Sequence, residues 1–183
     1  MPKDNKVLKD ARNYALSDED IRKLLGPDIA IHTYDQLKNM KSVDELFDSK
    51  GRGILLYQNQ SPTAGHWNAL LRKKKGIEVF DSYGEKPDKQ LDEIDEDLKE
   101  QTNQDAPYLT RLLKGSGLPI YYNPHQYQHD GSDINSCGRW AVARCIYGNK
   151  SNEEFKKIVD TANKRGMSND DFVCALTMNW LGK

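Results

Sequence analysis

Two short β-prone stretches joined by a charged turn constrain this chain more than any other feature. "GHWNALLR" (65–72) and "GIEVFDSY" (76–83) are bounded by turn residues and separated by "KKK", the pattern of a β-hairpin. Hairpin partners run antiparallel, so the start of the first strand lies opposite the end of the second. That geometry alone brings His66 across from Asp81. Two further strands are expected from "GILLYQNQ" (53–60) and "PIYYN" (119–123).

Helical patterns flank these strands. "ALSDEDIRKLLG" opens with a capping-box spacing, Ser17 to Asp20, places Ile21, Leu24 and Leu25 on one face, and stops at Gly26. "TYDQLKNMKSVDELFDSKGRG" reads as two short helical turns, the second boxed by Ser42 and Glu45. Between the hairpin and "PIYYN" lies a polar segment, 84–118. It has a narrow helical stripe at Leu91, Ile94 and Leu98 and a short helix in "APYLTRLLKGSG", and it is expected to cover the outside of the sheet. Past the last strand, helices are expected from Cys137 to about Tyr147 and from Ser151 to about Lys164. A third is expected from a Ser168–Asp171 box carrying Phe172, Ala175, Leu176 and Met178.

The order helices, strands, helices predicts an α+β fold in a single domain, 1–183. It would comprise a helical part (1–50), a sheet bearing His66 and Asp81 (51–123), and a cysteine loop with helices (124–183). A length of 183 residues suits one domain with one good core. No apolar run approaches membrane-spanning length, and "MPKDNKVLKD" lacks the apolar core of a signal peptide. The net charge of −1 supplies no overall basic field for nucleic acid. Three cysteines at spacings that match no zinc pattern read as reduced thiols of an intracellular protein.

One of these cysteines is unusually placed. In "HQYQHDGSDINSCGRWAVARC" (125–145), Cys137 stands where a polar loop becomes a helix. Backbone N–H groups and the helix dipole converge there and stabilise a thiolate. A nucleophilic thiol needs a base. Of His32, His66, His125 and His129, only His66 lies in an expected strand, a rigid mount, with Asp81 opposite to orient it. Acyl transfer also needs donors for an oxyanion. The Cys137 N–H is one, and a glutamine amide upstream, Gln126 or Gln128, can be another.

In this order, "GHW", "FDSYG", a glutamine and "CGRW" resemble the cysteine peptidases related to adenovirus protease (adenain) and the SUMO-specific proteases. The likeness extends through "LSDEDIRKLL", "GILLY", "GHWNALL", "IEVFDSYG", "YYN" and "SDINSCGRW". It is strongest to the adenain-like maturation proteases of large DNA viruses, virophages and Polinton-type mobile elements, and covers most of 15–150. The resemblance implies a permuted papain-like fold with a mainly antiparallel central sheet flanked by helices, and a cysteine at a helix N-terminus. It implies Cys137 as nucleophile, His66 as general base, Asp81 as its orienter and Gln128 as oxyanion donor, with Trp67 beside the site. Gln128 stands further from Cys137 than its counterpart does in adenain, by an insertion such as "HDGSD", and Gln126 remains an alternative. No metal or organic cofactor is implied. The implied substrates are capsid and core precursors cut beside glycine, in the host cytoplasm or viral factory, with packaging in the virion. Adenovirus protease uses DNA and a cysteine-linked peptide as activators. The charge here does not indicate DNA, and no partner cysteine is assignable.

Two other functions fit the same residues: a ubiquitin- or SUMO-type deconjugating isopeptidase, and a non-catalytic binding module on a protease fold. Outside the Cys137 set, the residues read blandly. Cys145 and Cys174 sit among apolar neighbours and read as core. His125 and His129, four apart, have metal-ligand spacing on a helix, but Pro124 and Gly131 make the segment a loop. "RKKK" (72–75) reads as a solvated hairpin turn.

Overall fold

The structure, a computed structural model, describes residues 6–181, with side chains through residue 178. The first five residues of "MPKDNKVLKD" lie outside it. The chain forms a mixed α+β domain built on a five-stranded sheet. The strands are β1 (Ala30–Thr33), β2 (Arg52–Ser61), β3 (Ala64–Lys73), β4 (Gly76–Phe80) and β5 (Ile120–Tyr122), in that spatial order. The helices are α1 (Lys6–Asn13), α2 (Asp18–Leu25), α3 (Glu96–Gln101), α4 (Tyr108–Gly115), α5 (Cys137–Ile146), α6 (Asn152–Lys164) and α7 (Asn169–Leu181). No helix of the described residues is long and apolar enough to cross a membrane.

The β3–β4 hairpin forms, antiparallel as expected, pairing from Lys73 opposite Gly76 to Ala69 opposite Phe80. Strand alternation sends successive side chains to opposite faces. Ile54, Leu56, Trp67, Ala69, Leu71 and Phe80 pack with α2, α5, α6 and α7 in one core. Leu55, Tyr57, Leu70, Ile77 and Val79 pack with the 84–118 segment and the 34–46 turns in the other. The polar segment therefore covers a sheet face, as expected.

Four expectations change. The first 50 residues are not purely helical, because Ala30–Thr33 pairs parallel with β2. Four half-exposed edge residues carry too little periodicity to announce a strand. The sheet is antiparallel only in its centre: β1–β2 and β4–β5 are both parallel. Parallel neighbours need long crossovers. The 34–51 turns supply one, and the 84–118 segment supplies the other. The stripe at 91–98 is broken into a 3-10 turn (Lys89–Glu93) and α3, with Asp95 capping the latter by accepting from Asp97 N–H. Finally, β4 ends at Phe80 rather than Tyr83. The Asp81 carboxylate accepts the Tyr83 N–H at 2.7 Å and turns the chain out of the ladder.

The capping boxes of Ser17–Asp20, Ser42–Glu45 and Ser151–Glu154 all form. Ser42 heads a 3-10 turn rather than an α-helix.

Candidate active site

His66 is the third residue of β3, and Asp81 directly follows β4. Both side chains are buried, at 5% and 1% exposure. The hairpin brings His66 Nε2 within 3.0 Å of Asp81 Oδ2, as the antiparallel geometry predicts. Asp81 is itself held: Oδ1 takes the Tyr83 N–H. The Asn68 amide, with its nitrogen turned toward the pair, donates to Oδ2 at 3.1 Å. Asn68 is two residues from His66 on the same strand face and was not marked by the sequence reading. Its only signal was a polar residue at a buried strand position. Tyr83 stacks on the imidazole with ring centroids 5.1 Å apart. It, too, went unmarked.

Cys137 is the first residue of α5 and only 9% exposed. Its Sγ lies 4.0 Å from the Gly65 carbonyl oxygen. Gly138 lets α5 approach β3, and Gly65 lets β3 approach β2. A Cβ on Gly138 would meet Leu16 Cβ and Trp67 Cδ1 at 3.1 Å, and one on Gly65 would lie 1.8 Å from the Tyr57 carbonyl oxygen. Trp67 donates its indole N–H to the Leu16 carbonyl at 3.1 Å, locking β3 to the segment before α2. "GHW" and "CG" are thus two sides of one contact.

The electrostatics separate this thiol from the others. Burial works against the Cys137 thiolate. The hydrogen bond and charge of His66, then the Trp67 and Gly138 backbone N–H groups, outweigh it and bring the thiol below its ordinary value of 9.0. Burial likewise disfavours imidazolium at His66. The Asp81 charge and hydrogen bond, with help from Cys137, overcome it and raise the group from 6.5 to about 10. Cys145 and Cys174 have no such partner, and burial drives them up to about 12 and about 11. All three cysteines are free, and the latter two are core residues, as expected.

Gln128 and Gln126 both line the cleft above Cys137. Gln128 is buried. Its Oε1 accepts from Ser82 Oγ at 2.8 Å, and its backbone N–H donates to the Ser82 carbonyl at 3.0 Å. Its Nε2 makes a 3.3 Å contact to the Ile134 carbonyl. Gln126 is exposed and spends its amide on the Gln128 carbonyl at 3.2 Å. Residues 125–129 form no helix. His129 turns to Asp170, at 2.7 Å, and His125 lies 3.6 Å from Glu153. His32 sits on edge strand β1.

The cleft over these residues measures about 1040 Å³. His66, Trp67, Tyr83, Gln128 and Cys137 line it. Chemically, the arrangement pairs a thiol with a base that a buried carboxylate orients. A fixed amide stands nearby, and the whole is open to a ligand the size of an extended peptide segment.

Uncharacterized protein V9 of Sputnik virophage is 36% identical to this chain over 156 residues, covering 85% of this chain and 89% of V9. Among solved structures, the central domain of the uncharacterized Lpg1148 protein of Legionella pneumophila aligns over 92% of this chain and 99% of its own, with 17% identity and a TM-score of 0.42. No family model matches.

Proposed function

The chain belongs to the family of the uncharacterized V9 protein of Sputnik virophage, and from the Cys137–His66–Asp81 arrangement we propose that it is a cysteine endopeptidase with a permuted papain-like fold. One observation carries this reading. Cys137 opens α5 on the wall of the cleft that His66 also lines, the His66 imidazole is bonded to the buried Asp81 carboxylate at 3.0 Å, and this His66 holds the buried thiol below its ordinary value. A core cysteine has no need of that arrangement, and Cys145 and Cys174 lack it.

The mechanism follows from which ring nitrogen is occupied. Asp81 engages Nε2 and leaves Nδ1 for the Cys137 proton. The thiolate attacks the scissile carbonyl carbon. The carbonyl oxygen becomes an oxyanion held by the Cys137 N–H and the Gln128 amide. The imidazolium gives its proton to the leaving amine as the C–N bond breaks, and an acyl-enzyme remains. His66 then takes a proton from water, whose oxygen attacks the thioester carbonyl carbon; the C–S bond breaks, Cys137 leaves as the thiolate beside the imidazolium, and the carboxylic acid product gives its proton to solvent. In a virophage setting the substrates are structural precursor proteins of the capsid and core, trimmed during maturation.

The test is cysteine alkylation against pH, read residue by residue by mass spectrometry, with hydrolysis of a fluorogenic glycine-containing peptide alongside. Cys137 alone reacts fast at mildly acidic pH, His66→Ala slows it, and both His66→Ala and Cys137→Ala abolish hydrolysis. A Cys137 that alkylates no faster than Cys145, with no peptide cleaved, refutes the reading.

A further inference from the structure

Asp170, the second residue of α7, is 1% exposed and far from the cleft in sequence. Its carboxylate accepts four hydrogen bonds. Oδ1 takes Ser136 Oγ–H at 2.6 Å and Trp140 Nε1–H at 3.2 Å. Oδ2 takes the His129 backbone N–H at 3.2 Å and its ring Nδ1 at 2.7 Å. These donors are not scattered. Ser136 immediately precedes Cys137, Trp140 lies in the first turn of α5, and His129 immediately follows Gln128.

We propose that Asp170 is a positioning residue that fixes Gln128 relative to Cys137, so that the amide and the thiolate address the same carbonyl. This rests on the peptidase reading. Between the two anchors, residues 130–133 form an exposed loop, with Asp130 on the rim of the cleft. The residues on either side of this loop, His129 next to Gln128 and Ser136 next to Cys137, are thereby tied to one carboxylate. From the other side, Ser82 holds the Gln128 side chain and backbone. Gln128 is thus clamped between β4's exit turn and α7. Val173 and Cys174, both 0% exposed, seat α7 in the core, so the clamp has a rigid support. Catalysis by an oxyanion donor depends on placement within a fraction of an ångström, and a buried carboxylate with four donors provides it.

The experiment separates oxyanion binding from thiolate formation. In Asp170→Asn an amide N–H₂ replaces one acceptor oxygen and faces a donor. His129→Ala removes only the ring bond of a residue whose side chain is 60% exposed, and so leaves folding intact. For both variants the pH profile of Cys137 alkylation matches wild type. For Asp170→Asn, kcat on the glycine-containing peptide falls roughly ten- to hundredfold with KM nearly unchanged, and affinity for the matching peptide aldehyde falls in parallel. His129→Ala shows the same pattern at a few-fold. Three results overturn the role while leaving the peptidase intact: kcat retained in both variants, loss of kcat with aldehyde affinity unchanged, or alkylation and melting temperature falling together with kcat. A wild-type chain that neither cleaves peptide nor activates Cys137 overturns the peptidase reading, and this role with it.

Discussion

At the scale of single residues, His66 and Cys137 shift each other in opposite senses, and their contributions to stability have opposite pH dependence. His66 is raised from 6.5 to about 10. Its contribution is complete below pH 6.5 and is lost as pH rises toward 10. Cys137 is lowered from 9.0. Its contribution is complete above pH 9 and is lost as pH falls through its folded-state value. From the higher of 6.5 and the folded-state value of Cys137 up to 9.0, one declines as the other grows, because imidazolium–thiolate and imidazole–thiol hold the same number of protons. The contribution of the pair, read as the melting-temperature difference between wild type and the double variant His66→Gln with Cys137→Ala against pH, is therefore level across that window and decreases on both sides. A difference that slopes steadily through neutral pH would mean that the two groups do not share a proton. Asn68 belongs to this scale as well. It shares Asp81 Oδ2 with His66 and so keeps a buried carboxylate saturated with donors, which holds its geometry fixed.

At the scale of elements, the site depends on α5 being held at both ends. Its start is wedged against Trp67 through Gly138. Its far end is held by Arg144, 0% exposed, which grips Glu78 of β4 through two bonds, Nε to Oε1 at 2.7 Å and Nη2 to Oε2 at 2.9 Å. Arg144 also donates to the carbonyls of Tyr147 and Lys150, and Lys73 from β3 completes the group at 3.3 Å from Glu78. Removing Arg144 leaves the buried Glu78 carboxylate without its bidentate partner and with Lys73 alone to offset its charge. Arg144→Met should cost about 3–5 kcal/mol in urea unfolding. The double variant Glu78→Leu with Arg144→Met should recover most of that loss, since a packed apolar pair needs no compensating charge. If the double variant were as unstable as the single one, the backbone carbonyls and not the ion pair would be the larger contribution. The sequence placed α5 correctly from its apolar pattern, but Arg144 and Glu78 carry no local sign of each other across 66 residues of chain.

At the scale of the whole molecule, two cores on opposite faces of one sheet must fold together for the cleft to exist. Asp88 joins the second core to the sheet. It sits at a φ of 66°, accepts the hydroxyls of Tyr34 at 2.7 Å and Tyr57 at 3.2 Å, and takes the Thr110 N–H at 2.8 Å. Asp88→Ala takes this acceptor from the Tyr57 hydroxyl and the Thr110 N–H, while the Tyr34 hydroxyl keeps the Ala106 carbonyl at 3.2 Å, and should lower stability by about 2–4 kcal/mol. Far-UV and tryptophan probes should still lose signal in one shared transition. Separate transitions would mean that 84–118 is a detachable lid and not a wall of the core. Periodicity and spacing in the sequence determined the α+β class, the β3–β4 hairpin, the His66–Asp81 pairing and the Cys137 helix start. Each of these depends on neighbours a few residues apart or on one tight turn, so local rules suffice. Only the tertiary structure decided the parallel edge strands, the preference for Gln128 over Gln126 as the buried amide, and the presence of Asn68, Tyr83 and Asp170 around the site. The edge strands, the buried glutamine and Asp170 depend on which segments the long crossovers and α7 bring together, and such contacts leave no periodic trace in the chain; Asn68 and Tyr83 lie in the hairpin or just beyond it, where side-chain direction and the turn after β4 decide what they touch.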